Sequence, residues 1–209
     1  ISEIDTDFLR HERRGNTIFA QNIRLQNACS HTDIQCQAVR STPDFKLTRS
    51  IHPHPFVPSC HLDERCEETF SIQTEGLAKR IIHTHAQSIV VGISGGLDST
   101  LALLVCVKTM DMLQRPRTDI IGVTMPGFGT TDRTYTNAIT LMKQLGVTIR
   151  EISIKDACLQ HFKDISHNPA VHDVTYENSQ ARERTQILMD IANQINGMVI
   201  GTGDLSELA

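Results

Sequence analysis

The sequence predicts an α/β domain built on a parallel sheet with helices on both faces and preceded by an irregular linker. Between residues 67 and 209, short apolar runs alternate with longer segments whose apolar residues recur at helical spacing. This alternation is typical of right-handed strand–helix–strand units, which pack helices against both faces of a sheet. Residues 1–66 show little periodicity and contain four of the seven prolines, so we interpret them as the linker.

Each element of the domain is predicted from a local pattern. Helices are predicted where apolar residues recur every three or four positions, and strands where apolar residues run together. The helix at residues 99–113 is apolar on nearly every side and is therefore expected to be buried. Asp132 is expected to cap the next helix, which Gly146 would end. In chain order the predicted elements are a helix at residues 7–14 within the linker, a helix at 67–85 with Phe70, Leu77 and Ile81 on one side, a strand at 89–93, a helix at 99–113, a strand at 119–124 closed by Pro126 and Gly127, a helix at 132–145, a strand at 147–154, a helix at 156–162, a helix at 177–195 with Ala181, Leu188, Ile191, Ala192 and Ile195 on one side, and a strand at 198–201.

The composition narrows the class of protein. The net charge is −4 and the charges are interspersed, so neither nucleic acid nor an anionic membrane surface is an expected partner. No apolar run reaches the roughly 18 residues of a membrane helix, and we expect a cytoplasmic protein. The chain begins without Met and ends in a sequence typical of a first helical turn, so we expect it to be part of a longer protein.

The six cysteines are expected to be reduced thiols, because the chain is too rich in core residues for a small disulfide-stapled fold. Zinc binding is the less favoured alternative, since no C-x₂-C pair is matched by a second pair. The candidate ligands for it are Cys60, His61 and Cys66, or Cys29, His31 and Cys36, with the His52–Pro55 stretch as a further possibility. His161, His167 and His172 lie in polar stretches and are expected at the surface.

The hexapeptide SGGLDS at residues 94–99 lies between the first strand of the domain and the helix that follows it. Two adjacent glycines allow backbone conformations that other residues avoid, so several N–H groups can point into one concavity at the positive end of a helix. Ser94 and Ser99 add hydroxyl groups, and Asp98 adds a carboxylate of the kind that Mg²⁺ prefers. The loop is therefore predicted to bind a metal-bound polyphosphate.

Other phosphate-binding motifs fit this loop less well. A Walker A loop requires a Lys and a dinucleotide fingerprint requires G-x-G-x-x-G, and the hexapeptide has neither. A plain strand-to-helix turn is the less favoured alternative. Polar residues also follow the later strands, among them Thr202 and Glu207. Because ligands of parallel sheets bind beyond the carboxyl ends of the strands, we expect a binding site at that edge.

The hexapeptide resembles the loop of the N-type ATP pyrophosphatases. The runs ENSQARERT at residues 177–185 and GTGDLSEL at residues 201–208 closely resemble those of NAD synthetases, the second in the form of the glutamine-dependent branch. The resemblance covers most of the chain, and residues 1–14 are similar to the exit from the nitrilase-type glutaminase domain of that branch. It implies an adenine nucleotide α-hydrolase-like, Rossmann-like fold at residues 67–209, C-terminally incomplete, with the glutaminase domain outside this chain.

The resemblance also implies roles for individual residues. The positions that would bind ATP are Gly92, Ile93, Ser94, Gly95, Gly96, Leu97, Asp98, Ser99 and Thr202. Among these, Asp98, Ser94 and Ser99 would take part in catalysis. Asp98 and Glu207 would hold Mg²⁺. The positions that would bind deamido-NAD are Asn178, Arg182, Arg184 and Glu207.

Simpler explanations exist for several of these residues. Asn178 is also a good helix N-cap, and Thr202 is suited to a turn. Arg182 and Arg184 could belong to a solvated helix face, where their spacing puts them on different sides.

The activity implied by the resemblance is ATP-dependent amidation of deamido-NAD to NAD through a nicotinate adenylate. AMP and pyrophosphate would be released, and the ammonia would come from glutamine. Two alternatives stay open, namely another ATP pyrophosphatase amidotransferase such as GMP synthetase, and a nucleotide-binding module without catalysis. A homo-oligomer is expected.

Overall fold

The computed structural model describes residues 57–203 and, before them, residues 5–16, 18, 32, 34, 35, 46, 53 and 54. The chain divides into two compact units, residues 1–53 and residues 54–209. In the first unit, helix α1 (Thr6–Gly15) agrees with the predicted helix at 7–14. The side chain of Asp5 caps it by accepting hydrogen bonds from the N–H groups of Asp7 and Phe8 at 3.1 and 2.9 Å.

The second unit contains a parallel sheet, as predicted. Among the described residues it has four strands, β1 (Ser88–Gly92), β2 (Ile120–Thr124), β3 (Thr148–Glu151) and β4 (Gly197–Ile200), in the order β3-β2-β1-β4. All three neighbouring pairs are parallel. The chain runs outward from β1 to β3 and then returns to the other side of β1, so β1 and β4 flank the switch point where open α/β sheets bind ligands.

In the part of this unit that the structure describes, five α-helices accompany the sheet, α2 (Leu62–Thr84), α3 (Leu97–Met112), α4 (Asp132–Leu145), α5 (Lys155–Asp164) and α6 (Val174–Gln194). Because successive strand residues point to opposite faces, β1 contributes to two separate cores. Ile89 and Val91 pack with residues of α2, α3 and α4. Val90 packs on the other face with residues of α5 and α6. Helices therefore cover both faces of the sheet, as the sequence predicts.

Element boundaries differ from the predicted ones at several places. Helix α2 begins five residues earlier than the predicted 67, and α6 begins at Val174 instead of Glu177. Strand β3 ends at Glu151, but the chain continues beside the neighbouring loop, where the N–H of Ile154 still donates to the carbonyl of Pro126 at 3.2 Å. The predicted strand at 147–154 is thus too long because its last residues bond irregularly.

Helix α3 is less completely buried than predicted. Cys106 and Met110 are fully enclosed, but Leu97 is 83% exposed and Leu101 is 46% exposed. Apolar residues on every side of a helix predict burial only if every side meets a neighbour. In this part of the structure one side of α3 does not.

None of the helices among the described residues combines the length and apolar character that crossing a bilayer requires.

Candidate active site

A cleft of about 700 Å³ opens at the carboxyl ends of β1 and β2. Four segments form it. They are the end of β1 with the start of the hexapeptide loop, the end of β2 with the β2–α4 loop (residues 125–131), the first turn of α4, and one side of α6 with His172 before it. This is the edge of the sheet at which the sequence predicts a ligand site.

The hexapeptide loop depends on glycine at one position. Gly95 has φ +83°, which disfavours any residue with a Cβ atom. A Cβ there would also overlap the carbonyl group of Thr134, lying 2.9 Å from its carbon. Gly96 has φ −86°, an ordinary value, so the prediction that both glycines take unusual conformations is wrong for Gly96. Gly95 is what allows the loop to approach the first turn of α4.

The two serines of the loop are differently placed. Ser94 is exposed and lines the cleft, whereas Ser99 is buried at 4% exposure. The Ser99 hydroxyl accepts the Ser94 N–H at 3.3 Å and donates to the carbonyl of Gly96 at 3.1 Å. The Gly96 N–H in turn donates to the Ser94 hydroxyl at 3.2 Å. Ser99 therefore shapes the loop from behind, and Ser94 presents a hydroxyl to the cleft.

The other predicted ATP-binding residues are divided between the cleft and the exposed surface. Gly92 and Ile93 line the cleft beside Ser94. Leu97 and Asp98 are exposed in the first turn of α3, outside the cleft lining. Thr202 is exposed after β4.

Helix α6 forms the opposite wall through residues spaced four apart. Asp173 caps the helix by accepting the Tyr176 N–H at 3.0 Å. Tyr176, Gln180, Arg184 and Leu188 then follow on one side and line the cleft. Because Asp173 is the cap, the alternative explanation of Asn178 as an N-cap is wrong.

Two of these side chains hold the β2–α4 loop. The buried Gln180 accepts the Phe128 N–H through Oε1 at 3.2 Å, and its Nε2 donates to the carbonyl of Tyr176 at 3.3 Å. Arg184 donates from Nε to the carbonyl of Met125 at 3.4 Å. Burial lowers the pKa of the Arg184 guanidinium, but an arginine retains its charge at neutral pH. A positive charge is thus fixed in the wall of the cleft.

Of the other predicted acceptor-binding residues that the structure describes, neither Asn178 nor Arg182 lines this cleft. Asn178 and Arg182 are exposed and four residues apart, so they share a side of α6 that is turned away from Gln180 and Arg184. Arg184 alone of this group lines the cleft. Glu207 lies outside the described residues.

An aromatic cluster beside α6 was not predicted from the sequence. The ring of Tyr176 stacks against the rings of His172 and Phe162, with centroid separations of 4.3 and 5.5 Å. Its centroid lies 5.6 Å from that of Phe128. Phe162 also contacts His167 at 5.2 Å. The prediction that His167 is a surface residue is wrong, since only 9% of its side chain is exposed. His172 is exposed, as predicted, but it also lines the cleft. The stretch of polar residues around both histidines concealed their contacts with aromatic residues.

Tyr135 is a further cleft residue that the sequence interpretation missed. Its hydroxyl donates to the carboxylate of Glu151 at 2.8 Å, and this hydrogen bond raises the pKa of the phenol. The bond joins the first turn of α4 to the end of β3.

Within the described part of the chain, no three His, Cys, Asp or Glu side chains are grouped closely enough to hold a metal ion. Cys60 and Cys66 are exposed free thiols, and Cys106 and Cys158 are buried free thiols. The alternative ligands Cys29, His31 and Cys36 lie outside the described residues.

A parallel α/β unit with a glycine loop after its first strand, opening on a cleft at the carboxyl ends of its strands, has the architecture of nucleotide-binding α/β domains. The chain belongs to the NAD synthase family, whose model matches residues 70–209. A glutamine-dependent NAD(+) synthetase of Mycobacterium leprae is 41% identical over the whole of this chain, which covers 32% of that relative. The chain thus spans about a third of the length of such relatives.

Solved structures agree with this family. The glutamine-dependent NAD+ synthetase of Acinetobacter baumannii in complex with ADP matches 66% of this chain and 26% of its own at 25% identity, with a TM-score of 0.61. The NMN synthetase of Francisella tularensis matches 68% of this chain and 56% of its own at 27% identity, with a TM-score of 0.59.

Proposed function

We propose that the protein containing this chain makes NAD by ATP-dependent amidation of deamido-NAD. The observation that carries the proposal is the hexapeptide loop, whose first residues line a cleft at the carboxyl ends of β1 and β2 in a chain of the NAD synthase family. The relatives that are similar over the whole chain are named glutamine-dependent NAD(+) synthetases. We therefore propose glutamine as the ammonia source, a glutaminase domain outside this chain, a homo-oligomeric assembly and a cytoplasmic location.

ATP would occupy the cleft with its phosphates at the loop. The Ser94 hydroxyl and the positive end of α3 offer donors for phosphate oxygens. Ile93, Met125 and Leu188 supply an apolar lining that suits a purine ring. Thr202, which follows β4, would approach ATP from the other side of the switch point.

The residues present are compatible with Mg²⁺. This ion is usually held by one or two carboxylates together with substrate phosphates, and the exposed carboxylate of Asp98 in the first turn of α3 fits that donor set. We propose Glu207 as the second carboxylate. When bound, the ion would neutralise negative charge on the phosphates.

The reaction itself requires positioning more than a nucleophilic side chain. A carboxylate oxygen of deamido-NAD attacks the α-phosphorus of ATP, and the bond to pyrophosphate breaks. Ammonia then attacks the activated carbonyl carbon, loses a proton and expels AMP. The fixed charge of Arg184 is suited to stabilise the phosphate oxygens or the acceptor carboxylate in this cleft. Asn178 and Arg182 would bind the remainder of deamido-NAD along the exposed side of α6.

The test uses the full-length protein with ATP, glutamine or ammonium, and one acceptor at a time. The acceptors are deamido-NAD, nicotinic acid mononucleotide and xanthosine monophosphate, and nucleotides are separated by chromatography. We expect NAD, AMP and pyrophosphate in equal amounts with deamido-NAD. Consumption of xanthosine monophosphate would identify a GMP synthetase instead. Turnover of nicotinic acid mononucleotide alone would show that this compound, and not deamido-NAD, is the substrate. ADP with orthophosphate would exclude the adenylation chemistry, and no turnover of any acceptor would favour a binding module.

A further inference from the structure

His167 connects the end of α5 to the start of α6 through its backbone N–H and its ring Nε2. It lies between the end of α5 and the start of α6, and its backbone N–H donates to the backbone carbonyl of Phe162 at 2.8 Å. Nδ1 lies 3.1 Å from the carbonyl oxygen of Asn168, and Nε2 lies 3.0 Å from Oδ1 of Asp173. Oδ1 of Asp173 is an acceptor, so a hydrogen on Nε2 makes this contact a hydrogen bond.

The acceptor for Nε2 also determines where α6 begins. Oδ1 of Asp173 accepts the Tyr176 N–H at 3.0 Å, so a single carboxylate oxygen receives both the cap bond of α6 and the bond from His167. A capping side chain satisfies one of the otherwise unpaired N–H groups of the first turn. His167 therefore restrains the residue that starts the helix.

Tyr176 transmits this restraint to the cleft. Its ring is stacked on one side against Phe162, which also contacts the ring of His167. It is stacked closely against His172, and both Tyr176 and His172 line the cleft. The backbone carbonyl of Tyr176 accepts from Gln180, which holds the β2–α4 loop. A displaced first turn of α6 would thus move two walls of the cleft together.

We propose that His167 is a positioning residue, which sets the first turn of α6 through Asp173 and thereby the aromatic side of the nucleotide cleft. His167 is not itself among the residues that line the cleft. The proposal rests on the proposed function to the extent that ATP is the occupant of this cleft.

Two variants separate the hydrogen bond to Asp173 from the rest of the side chain. In His167→Gln the amide nitrogen reaches the position of Nε2 and retains a donor for Asp173. In His167→Asn the amide nitrogen reaches only the position of Nδ1, so the donor for Asp173 is lost. His161→Gln is the matched control, because His161 is exposed on the neighbouring α5.

The full-length protein is assayed with ATP as the varied substrate. We expect His167→Asn to raise the KM for ATP about tenfold with a smaller change in kcat, the effect of losing one hydrogen bond to a charged group. His167→Gln should stay within about threefold of the wild type, and His161→Gln should be unchanged. A purely structural role would lower the melting temperature of both His167 variants and leave both KM values unchanged, which would overturn the proposal.

Hydrogen exchange measured by mass spectrometry tests the contact without reference to any substrate. Amides at the start of α6 should exchange at least several-fold faster in His167→Asn than in His167→Gln or His161→Gln. Equal exchange in all three variants would refute the restraint on α6. Faster exchange in a protein that neither binds ATP nor makes NAD would leave the restraint in place and remove the proposed function instead.

Discussion

Replacing Gly95 with alanine is expected to displace the loop that we assign to the phosphates of ATP. The residue has φ +83°, and a Cβ atom there would overlap the carbonyl group of Thr134. The neighbouring Gly96 provides a matched control. It has φ −86°, and an added Cβ would lie 3.3 Å from the nearest atom, the hydroxyl oxygen of Ser94. The two substitutions add the same methyl group one residue apart.

The expected costs differ for two reasons. An alanine in the left-handed region costs about 1–2 kcal/mol relative to glycine. The overlapped carbonyl of Thr134 belongs to the first turn of α4, so it cannot rotate aside as a side chain would, and the loop has to move instead. Gly96 is the N-cap of α3, where replacement of glycine by alanine costs about 0.5–1 kcal/mol. We expect about 2 kcal/mol for Gly95→Ala and about half of that for Gly96→Ala.

The assay is NAD formation by the full-length protein with ATP varied. If the loop of Gly95→Ala relaxes away from the conformation that binds ATP, it has to return to that conformation when ATP binds. The cost of about 2 kcal/mol then lowers kcat/KM for ATP about thirtyfold. Gly96→Ala should lower it less than about fivefold. Equal effects of the two variants, or wild-type activity of Gly95→Ala, would refute the reasoning from backbone geometry.

The remaining predictions concern the Mg²⁺ ligand, the binding of the two substrates and the buried thiol of Cys106. Asp98→Asn should lower kcat/KM by about 10²-fold, as when one electrostatic stabiliser is removed, and unchanged Mg²⁺ dependence would exclude Asp98 as a ligand. Asn178→Ala should raise the KM for deamido-NAD about tenfold and the KM for ATP less. Thr202→Ala should instead raise the KM for ATP more than the KM for deamido-NAD. Equal changes in the two KM values would contradict both assignments. Burial raises the pKa of the Cys106 thiol from 9.0 to about 12, so iodoacetamide at pH 8 should label it only after denaturation, as peptide mass spectrometry can verify. Because the unfolded chain releases this proton first, the free energy of unfolding should fall as the pH rises from 9 towards 12, and it should fall less in Cys106→Ala.

The fold could be predicted because its signals are local. Uninterrupted apolar runs such as Ile89–Ile93 have few explanations other than a strand covered on both faces, and the helices between them imply parallel order. The sequence predicts the start of α6 three residues late, because the segment after Asp173 contains few apolar residues. Asp173 itself was the available signal, since aspartate is a preferred N-cap.

The two walls of the cleft differ in how far the sequence predicts them. The hexapeptide wall depends on residues within six positions of one another, and a short motif can reveal it. The α6 wall depends on Gln180 reaching Phe128, 52 residues away, and on Arg184 reaching Met125, 59 residues away. Contacts of that range leave no periodic or motif signal. The burial of His167 was missed for the same reason, because polar neighbours in sequence do not show which rings pack against it.

The β2–α4 loop connects the α6 side of the cleft to the side formed by the hexapeptide that follows β1. A Cβ at Gly127 would lie 2.7 Å from both Nη2 of Arg184 and Oε1 of Gln180, so α6 is in direct contact with the loop backbone. The loop has few bonds of its own, such as that from the Gly127 N–H to the Thr130 hydroxyl at 2.9 Å. Two side chains of α6 therefore help to hold the loop, together with the Ile154 N–H that donates to the carbonyl of Pro126. Helix α6 is itself started by Asp173. A change at the start of α6 should reach the nucleotide cleft through this loop even though the hexapeptide is untouched.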